Sequence, residues 1–321
     1  MGNIGSSGDN QVDLSIVIPV YNEEESVCAL HSAILSAVVP LSLRFEIIFV
    51  DDGSSDSTYD RLKQIKHSDP HIKVIRLRRN AGQTPAMRAG FDAARAPIII
   101  SMDGDLQNDP RDIPKLLAKI DEGYDLVCGW RVNRQDKLIS RKIPSRIANR
   151  LIAQVTGVYI RDNGCSLKAY RAEMIKQLKL YSDMHRFIPA VSTLAGARIA
   201  EVAVSHHARQ FGKSKYGISR TIKVIFDLMA IKMLIGFSSR PIVYFSLASL
   251  LVWALALLNI GIFSYEYLSK DVQSGFMIPA GVVLVLIGSA CFTLLLGLIA
   301  ESVASMGGFK QRDILLYRWE E

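Results

Sequence analysis

Two long stretches without a charged side chain constrain this chain more than anything else in it. Pro241–Tyr265 and Val272–Ala300 contain no Asp, Glu, Lys or Arg. A bilayer core of about 30 Å is crossed by roughly 20 apolar helical residues, so each run is long enough to span it. Two buried helices of a soluble core are the alternative, but core helices rarely run so far without a charge. A short linker, Ser264–Gly275, makes the pair a helical hairpin whose two ends lie on one side of a membrane. The linker holds a single lysine against Glu266 and Asp271. The flanks carry Arg220, Lys223, Lys232 and Arg240 before the hairpin and Lys310, Arg312 and Arg318 after it. By the positive-inside rule the flanks, both termini and the large N-terminal region face the cytoplasm. The expectation is a multi-pass protein of the cytoplasmic (inner) membrane, with no signal peptide because the N-terminus lacks an apolar h-region.

The remainder is globular in composition, since 49% of the chain is hydrophobic and 21% charged, enough apolar surface for a core. Four scattered cysteines (Cys28, Cys128, Cys165, Cys291) with no C-x-x-C pair exclude a disulfide scaffold and a thiolate zinc site. The net charge is +7 and the isoelectric point about 9.2, which points to an anionic partner. That charge is concentrated. Residues 131–150 and 205–240 each sum to +6, so the rest of the chain sums to −5. Aromatics are sparse in both blocks, whereas single-stranded nucleic-acid grooves interleave them with the cations. The expected partner is therefore a phosphate-bearing small molecule or lipid and not nucleic acid.

From Asp13 to Trp130, short β-rich runs alternate with helical patterns. Strands are predicted at Ser15–Val20, Phe45–Val50, Lys73–Leu77, Pro97–Met102 and Asp125–Trp130. Helices are predicted at Glu24–Val38, Ser57–His67, Thr84–Ala94 and Ile113–Glu122. This alternation predicts an α/β domain, a mostly parallel sheet with helices on both faces. Ligands of such sheets bind beyond the carboxyl ends of the strands. Three of those ends are polar: Pro19-Val20-Tyr21-Asn22-Glu23, Asp51-Asp52-Gly53-Ser54-Ser55-Asp56 and Asp103-Gly104-Asp105-Leu106-Gln107. Each alone could be a turn, with Ser54 or Asp56 merely capping the next helix. No G-x-G-x-x-G follows the first strand, which argues against a dinucleotide site. Asp103 and Asp105, two residues apart, point to the same side if the chain stays extended. Two hard carboxylates so placed suit Mg²⁺ or Mn²⁺ bridging a diphosphate. Asp51 and Asp52 are placed to accept hydrogen bonds from a base or ribose.

In order and spacing, these three motifs resemble the family 2 inverting glycosyltransferases of GT-A fold. Downstream, Asp162-Asn163-Gly164-Cys165-Ser166-Leu167-Lys168-Ala169-Tyr170-Arg171, His185-Arg186-Phe187-Ile188-Pro189 and Gly212-Lys213-Ser214-Lys215-Tyr216-Gly217 narrow the resemblance. With the hairpin, the chain resembles bacterial polyisoprenyl-phosphate glycosyltransferases of the O-antigen glucosylation and aminoarabinose-transfer type, and is similar to dolichol-phosphate mannose synthases. The resemblance implies a flexible N-terminus at 1–12, a cytoplasmic GT-A (Rossmann-like) domain at 13–217 and an interfacial helix at 218–239. Spanning helices at 240–265 and 272–300 and a cytoplasmic tail at 301–321 complete the division. It implies donor-nucleotide contacts from Pro19, Tyr21, Glu23, Asp51, Asp103, Arg209 and Lys215. A divalent metal, Mg²⁺ or Mn²⁺, is implied on Asp103, Asp105 and Gln107. Acceptor-phosphate contacts are implied for Arg131, Arg141 and Ser145, and catalytic roles for Asp105, Arg131 and Asp162.

The implied reaction moves a sugar, UDP-glucose being the favoured donor, onto polyprenyl (undecaprenyl) phosphate with inversion. GDP-mannose and a UDP-aminoarabinose derivative are the other donors considered. The acceptor oxygen is already anionic at neutral pH, because such phosphates have a second pKa of about 6. It needs little from a base, and Asp162 is either a base, an orienting group or a turn residue before Asn163-Gly164. The harder task is bringing two anions together, which Lys/Arg clamps and a divalent cation perform electrostatically. A lipid acceptor also explains the anchor and two candidate interfacial helices, Ile143–Val158 and Ile218–Gly236. Small residues Gly288, Ser289 and Gly297 offer contact surfaces for a homo-oligomer. A processive polysaccharide synthase fits less well, because Leu315 stands where its Q-x-x-R-W glutamine would be. A non-catalytic nucleotide-sugar-binding membrane protein is the reading of a different class, and loss of Asp105 or the basic clamp would favour it.

Overall fold

The computed structural model describes residues 12–132, 150, 153–154, 157–178, 180, 184–194, 196–208, 241–269 and 277–306. Contacts divide the chain into two compact units, one holding a sheet and the other two long helices. The first unit runs β1 (Leu14–Val20), α1 (Val27–Val38), β2 (Phe45–Asp51), α2 (Thr58–Ser68), β3 (Ile72–Arg76), α3 (Gln83–Ala93) and β4 (Ile98–Ser101). It continues through α4 (Ile113–Asp121), β5 (Leu126–Arg131), β6 (Lys168–Arg171), α5 (Ala172–Gln177), α6 (Ile188–Leu194) and β7 (Ile199–Val204).

The strands form one sheet in the order β3-β2-β1-β4-β6-β5-β7. β2 is buried at all seven positions, as expected of a central strand covered on both faces. Leu14, Ile16, Ile18 and Val20 of β1 join the core that α1, α2 and α4 cover. Val17 points the other way, against α3. A Cβ on Gly90 of α3 would lie 2.2 Å from Val17 Cγ1, so only glycine lets that helix approach so closely. Helices therefore cover both faces, as the alternation predicts.

Topology decides where the ligand edge lies. β1 pairs in parallel with β2 and β4, and β5 in parallel with β7. β6 alone is antiparallel, to both β4 and β5. The carboxyl ends of six strands thus share one edge, and the reversed β6 begins there. Its preceding residues, 162–167, are delivered to the same edge.

The first helix starts three residues later than expected. The N–H groups of Asn22, Glu23 and Glu24 donate to Ser54 Oγ (2.9 Å), Thr58 Oγ1 (2.8 Å) and Asp56 Oδ2 (3.4 Å). These bonds hold residues 22–24 in a loop tied to residues 54–58, and the helix begins beyond it. Ser54 therefore stitches two strand-end loops together. Asp56 does both jobs, since its Oδ1 also accepts from the N–H of Thr58 at 3.0 Å.

The second unit is an antiparallel pair, α7 (Pro241–Ser269) and α8 (Met277–Met306). α7 continues one turn past the uncharged run, through Glu266. α8 begins five residues later than the run and carries on past Glu301. Both are long and apolar enough to cross a membrane, and little of either is buried against protein. Inside the pair, Ser249 Oγ donates to the carbonyl of Ala290 at 2.8 Å. Glu301 accepts from the N–H of Ile242 at 3.1 Å, placing a carboxylate at the positive end of α7. Gly297 is not an outer contact surface as expected: a Cβ there would lie 2.6 Å from that of Phe245, so its smallness serves the hairpin itself.

The N-terminal segment 1–11, the tail beyond 306, most of both basic blocks and most of the two candidate interfacial helices lie outside the described residues. So do Arg141, Ser145, Arg209 and Lys215.

Candidate active site

Asp51 ends β2 and is fully buried. Its Oδ1 accepts from the N–H of Ser54 at 2.9 Å. Its Oδ2 is buried without a hydrogen bond, and Arg76 Nε lies 3.3 Å away. The Arg76 guanidinium in turn stacks 4.3 Å over the Tyr59 ring. Asp51 thus presents a single acceptor oxygen. Asp52 does not share this role as expected. Its two oxygens accept from the N–H groups of Ala81 (2.7 Å) and Gly82 (2.9 Å), so it anchors the loop after β3. Pro19 and Tyr21, at the end of β1, are partly accessible beside this site. Glu23 accepts from Ser26 Oγ at 3.0 Å and shapes the turn into α1.

The metal motif is brought together by a turn, not by an extended strand. β4 stops at Ser101, and Leu106 adopts φ +59°, a left-handed conformation that side chains other than glycine, Asn and Asp rarely take. A Cβ on Gly104 would lie 2.7 Å from Val20 Cγ1, so the motif sits directly against the end of β1. Asp105 is buried, and its Oδ1 accepts from the N–H of Gln107 at 3.2 Å. Burial, and then the Asp105 charge, push the Asp103 carboxyl above its ordinary range. Two carboxylates that repel one another suit a hard cation, and the backbone N–H of Gln107 is bound to one of them. Among the described residues no group of three His, Cys, Asp or Glu side chains could hold a metal. A cation here would complete its shell with ligand oxygens or water.

Arg131 ends β5 and meets Asp162 from the segment before β6. Its Nε donates to Asp162 Oδ2 at 2.6 Å and a terminal nitrogen to Oδ1 at 2.9 Å, a two-pronged pair. Asp162 is buried and Arg131 nearly so. Lys168, also buried, donates to the carbonyls of Cys165 and Asn163 and fixes the turn that carries Asp162. The thiols of Cys128 and Cys165 are pushed up by burial to about 12 and about 11, so neither is a nucleophile at neutral pH.

Several contacts at this edge were not anticipated. Gln83 Nε2 donates to Asp103 Oδ1 at 2.7 Å. Thr84 Oγ1 pairs with His185 Nδ1 at 2.9 Å, bringing in the His185-Arg186 motif. Asn108 donates to Ser166 Oγ at 2.7 Å. Asp112 Oδ2 accepts from the N–H of Ser205 (2.6 Å) and Asp109 Oδ2 lies 3.1 Å from His207 Nε2. The Arg111 guanidinium holds the Asp109 carboxyl far below the usual range. Residues 107–112 and 205–207 are thereby zipped together. No local pattern in the sequence signals these pairs, because each joins segments about 20 to 100 positions apart.

Comparisons with known proteins give the family and the fold. The family model described as Glycosyl transferase family 2 matches residues 15–179. The chain is 45% identical over 299 residues to a dodecaprenyl-phosphate galacturonate synthase of Rhizobium johnstonii, covering 91% of this chain and 88% of the relative. It is 44% identical over 217 residues to an undecaprenyl-phosphate 4-deoxy-4-formamido-L-arabinose transferase of Salmonella choleraesuis, covering 67% of this chain and 66% of that one. A solved glucosyl-3-phosphoglycerate synthase from Mycobacterium tuberculosis, in complex with Mn²⁺ and UDP-glucose, superposes with a TM-score of 0.54 at 17% identity. It covers 70% of this chain and 79% of its own, a likeness of fold.

Proposed function

Because this chain belongs to glycosyl transferase family 2, a family of sugar-transferring enzymes, we propose that it moves a sugar from a uridine diphosphate donor onto the phosphate of a polyprenyl lipid. The carrying observation is the convergence of Asp51, the Asp103/Asp105 pair and the Arg131–Asp162 pair at one sheet edge. The polyprenyl acceptor is supported by the names of both relatives and by two helices suited to a bilayer. The sugar favoured from the sequence, glucose, gives way to galacturonate, the sugar named for the relative matched over most of both chains. A formamido-arabinose donor is the second reading.

In this reading the Asp51 oxygen that lacks a hydrogen bond accepts from the N3–H of uracil. Asp103 and Asp105, with Gln107, would hold Mg²⁺ or Mn²⁺, which when bound would supply charge stabilisation for the leaving diphosphate. Arg131, held by Asp162, faces the acceptor phosphate. Arg141 and Ser145 join it there, and Arg209 and Lys215 grip the donor diphosphate. In-line attack inverts the anomeric carbon. The protein resides in the inner membrane, with the catalytic domain and both termini cytoplasmic.

The direct test incubates the full chain in detergent with a panel of nucleotide sugars and polyprenyl phosphate, and detects the lipid product by mass. Product from the galacturonate donor is expected, and no product from any donor would end the reading. The base assignment has its own test in Asp51→Asn. An amide that keeps its oxygen on the Ser54 N–H turns a donor toward the base, which opposes uracil N3–H and suits cytosine N3. UDP affinity should fall about 10- to 100-fold, the loss expected for a hydrogen bond to a charged group, while CDP affinity holds or rises. Equal losses for both nucleotides would remove Asp51 from base reading. Orientation is checked by cysteine labelling from outside the cell. A cysteine at Ser269 should react and one at Ser57 should not, and the reverse pattern would refute the topology.

A further inference from the structure

We propose that Gln83 is a positioning residue for the metal motif, holding Asp103 from a loop that Asp52 anchors. The proposal rests on the reading above, in which Asp103 and Asp105 take a divalent cation. Gln83 opens α3, and its side-chain amide donates to Asp103 Oδ1 at 2.7 Å. The two residues before it, Ala81 and Gly82, give both their N–H groups to the Asp52 carboxylate. Gly82 has φ +97°, a conformation that sets the chain's entry into the helix and that a side chain would resist. The same loop is pressed onto the end of β2, since a Cβ on Gly53 would lie 2.6 Å from the carbonyl carbon of Arg79. Thr84, next along, is fixed to His185. The start of α3 is therefore held on three sides, and Gln83 projects from a rigid mount.

Chemistry favours glutamine in this place. Its N–H fixes the plane of the Asp103 carboxylate and occupies one oxygen. Being neutral, it leaves the negative charge available, where an arginine or lysine would cancel the charge a cation needs. The loop 79–83 also runs from Asp51 and Asp52, at the base-reading end, to Asp103 at the metal end. It sets the spacing between the two, and losing the Gln83 contact alone should damage metal binding while sparing the base.

The test uses the full chain in detergent with Gln83→Met, which keeps length and helix propensity but has no donor. Mn²⁺ affinity is read in the presence of UDP from the electron paramagnetic resonance of free Mn²⁺, and UDP affinity in EDTA by calorimetry. The Mn²⁺ Kd should rise about tenfold, the size expected for losing one hydrogen bond to a charged acceptor. UDP affinity in EDTA should stay within twofold. In turnover, kcat should fall with no change in KM for polyprenyl phosphate. Gln83→Asn, one methylene too short to reach, should show the same losses and carries the test if the Met variant misfolds. A Mn²⁺ Kd within twofold of the parent in a folded variant overturns the proposal. So does an equal loss of UDP affinity in EDTA, which would make Gln83 a general support of the edge. A parent protein that binds no Mn²⁺ with UDP defeats the underlying reading instead, and this inference with it.

Discussion

Asp105→Ala is expected to lower sugar transfer by about a thousandfold or more while the protein stays folded. The size follows from what a divalent cation supplies, several kcal/mol of charge stabilisation on a leaving diphosphate, where each 1.4 kcal/mol is tenfold. The fold should survive because Asp105 lies in the turn beyond the end of β4, outside the hydrophobic core. One of its hydrogen bonds, to the N–H of Gln107, is long at 3.2 Å, and even a good bond to a charged group is worth only about 1.5–3 kcal/mol, a fraction of a domain's stability. Removing it also relieves the repulsion that pushes the Asp103 carboxyl upward. The variant should therefore still melt cooperatively as a folded protein while activity vanishes. The measurement is product formation by mass, at saturating Mn²⁺, beside a thermal melt. A variant that keeps full activity, in chelator as well, would show that no metal on Asp105 takes part.

Much of this site could be read before any coordinates. β1, β2 and β4 are apolar runs that end abruptly in acidic and glycine-rich clusters, and a parallel sheet must gather such ends at one edge. Short-range chemistry misled where a side chain has a distant partner. Asp52 looked equivalent to Asp51, but the N–H groups that bind it come from residues 81 and 82, 29 and 30 positions away. The start of α1 was misplaced because residues 22 and 23, just before it, are bound by their N–H groups to Ser54 and Thr58. β6 was not legible at all. It has four residues, Lys168–Arg171, and its reversed direction follows from its place between β4 and β5, which no local pattern encodes. Yet that reversal delivers Asp162 to Arg131. The hairpin was legible in composition, while its length was not, because Glu266 and Glu301 end the uncharged runs without ending the helices.

The Arg131–Asp162 pair allows a second large effect to be expected, and with it a choice among the roles open to Asp162. Both Asp162 oxygens accept from Arg131, which makes the carboxylate a poor proton acceptor and a good orienting group. The acceptor phosphate supplies its own anionic oxygen, with a second pKa of about 6, so the reaction does not need a protein base. Arg131→Ala takes a two-pronged partner from a buried carboxylate and, in the proposed function, a cation from the acceptor phosphate. Breaking one side of a buried pair costs about 3–5 kcal/mol, so this variant should melt markedly lower and lose at least a hundredfold in kcat/KM for polyprenyl phosphate. Asp162→Asn should be milder, since an amide oxygen still accepts one of the two bonds, and a loss of about 10- to 100-fold is expected. The pH profile separates the roles. If Asp162 orients Arg131, Asp162→Asn lowers the rate at every pH but keeps the acidic limb near pH 6, because that limb belongs to the lipid phosphate. If Asp162 were the base, its substitution would flatten that limb, and a flat profile from pH 5 to 8 would reverse the assignment.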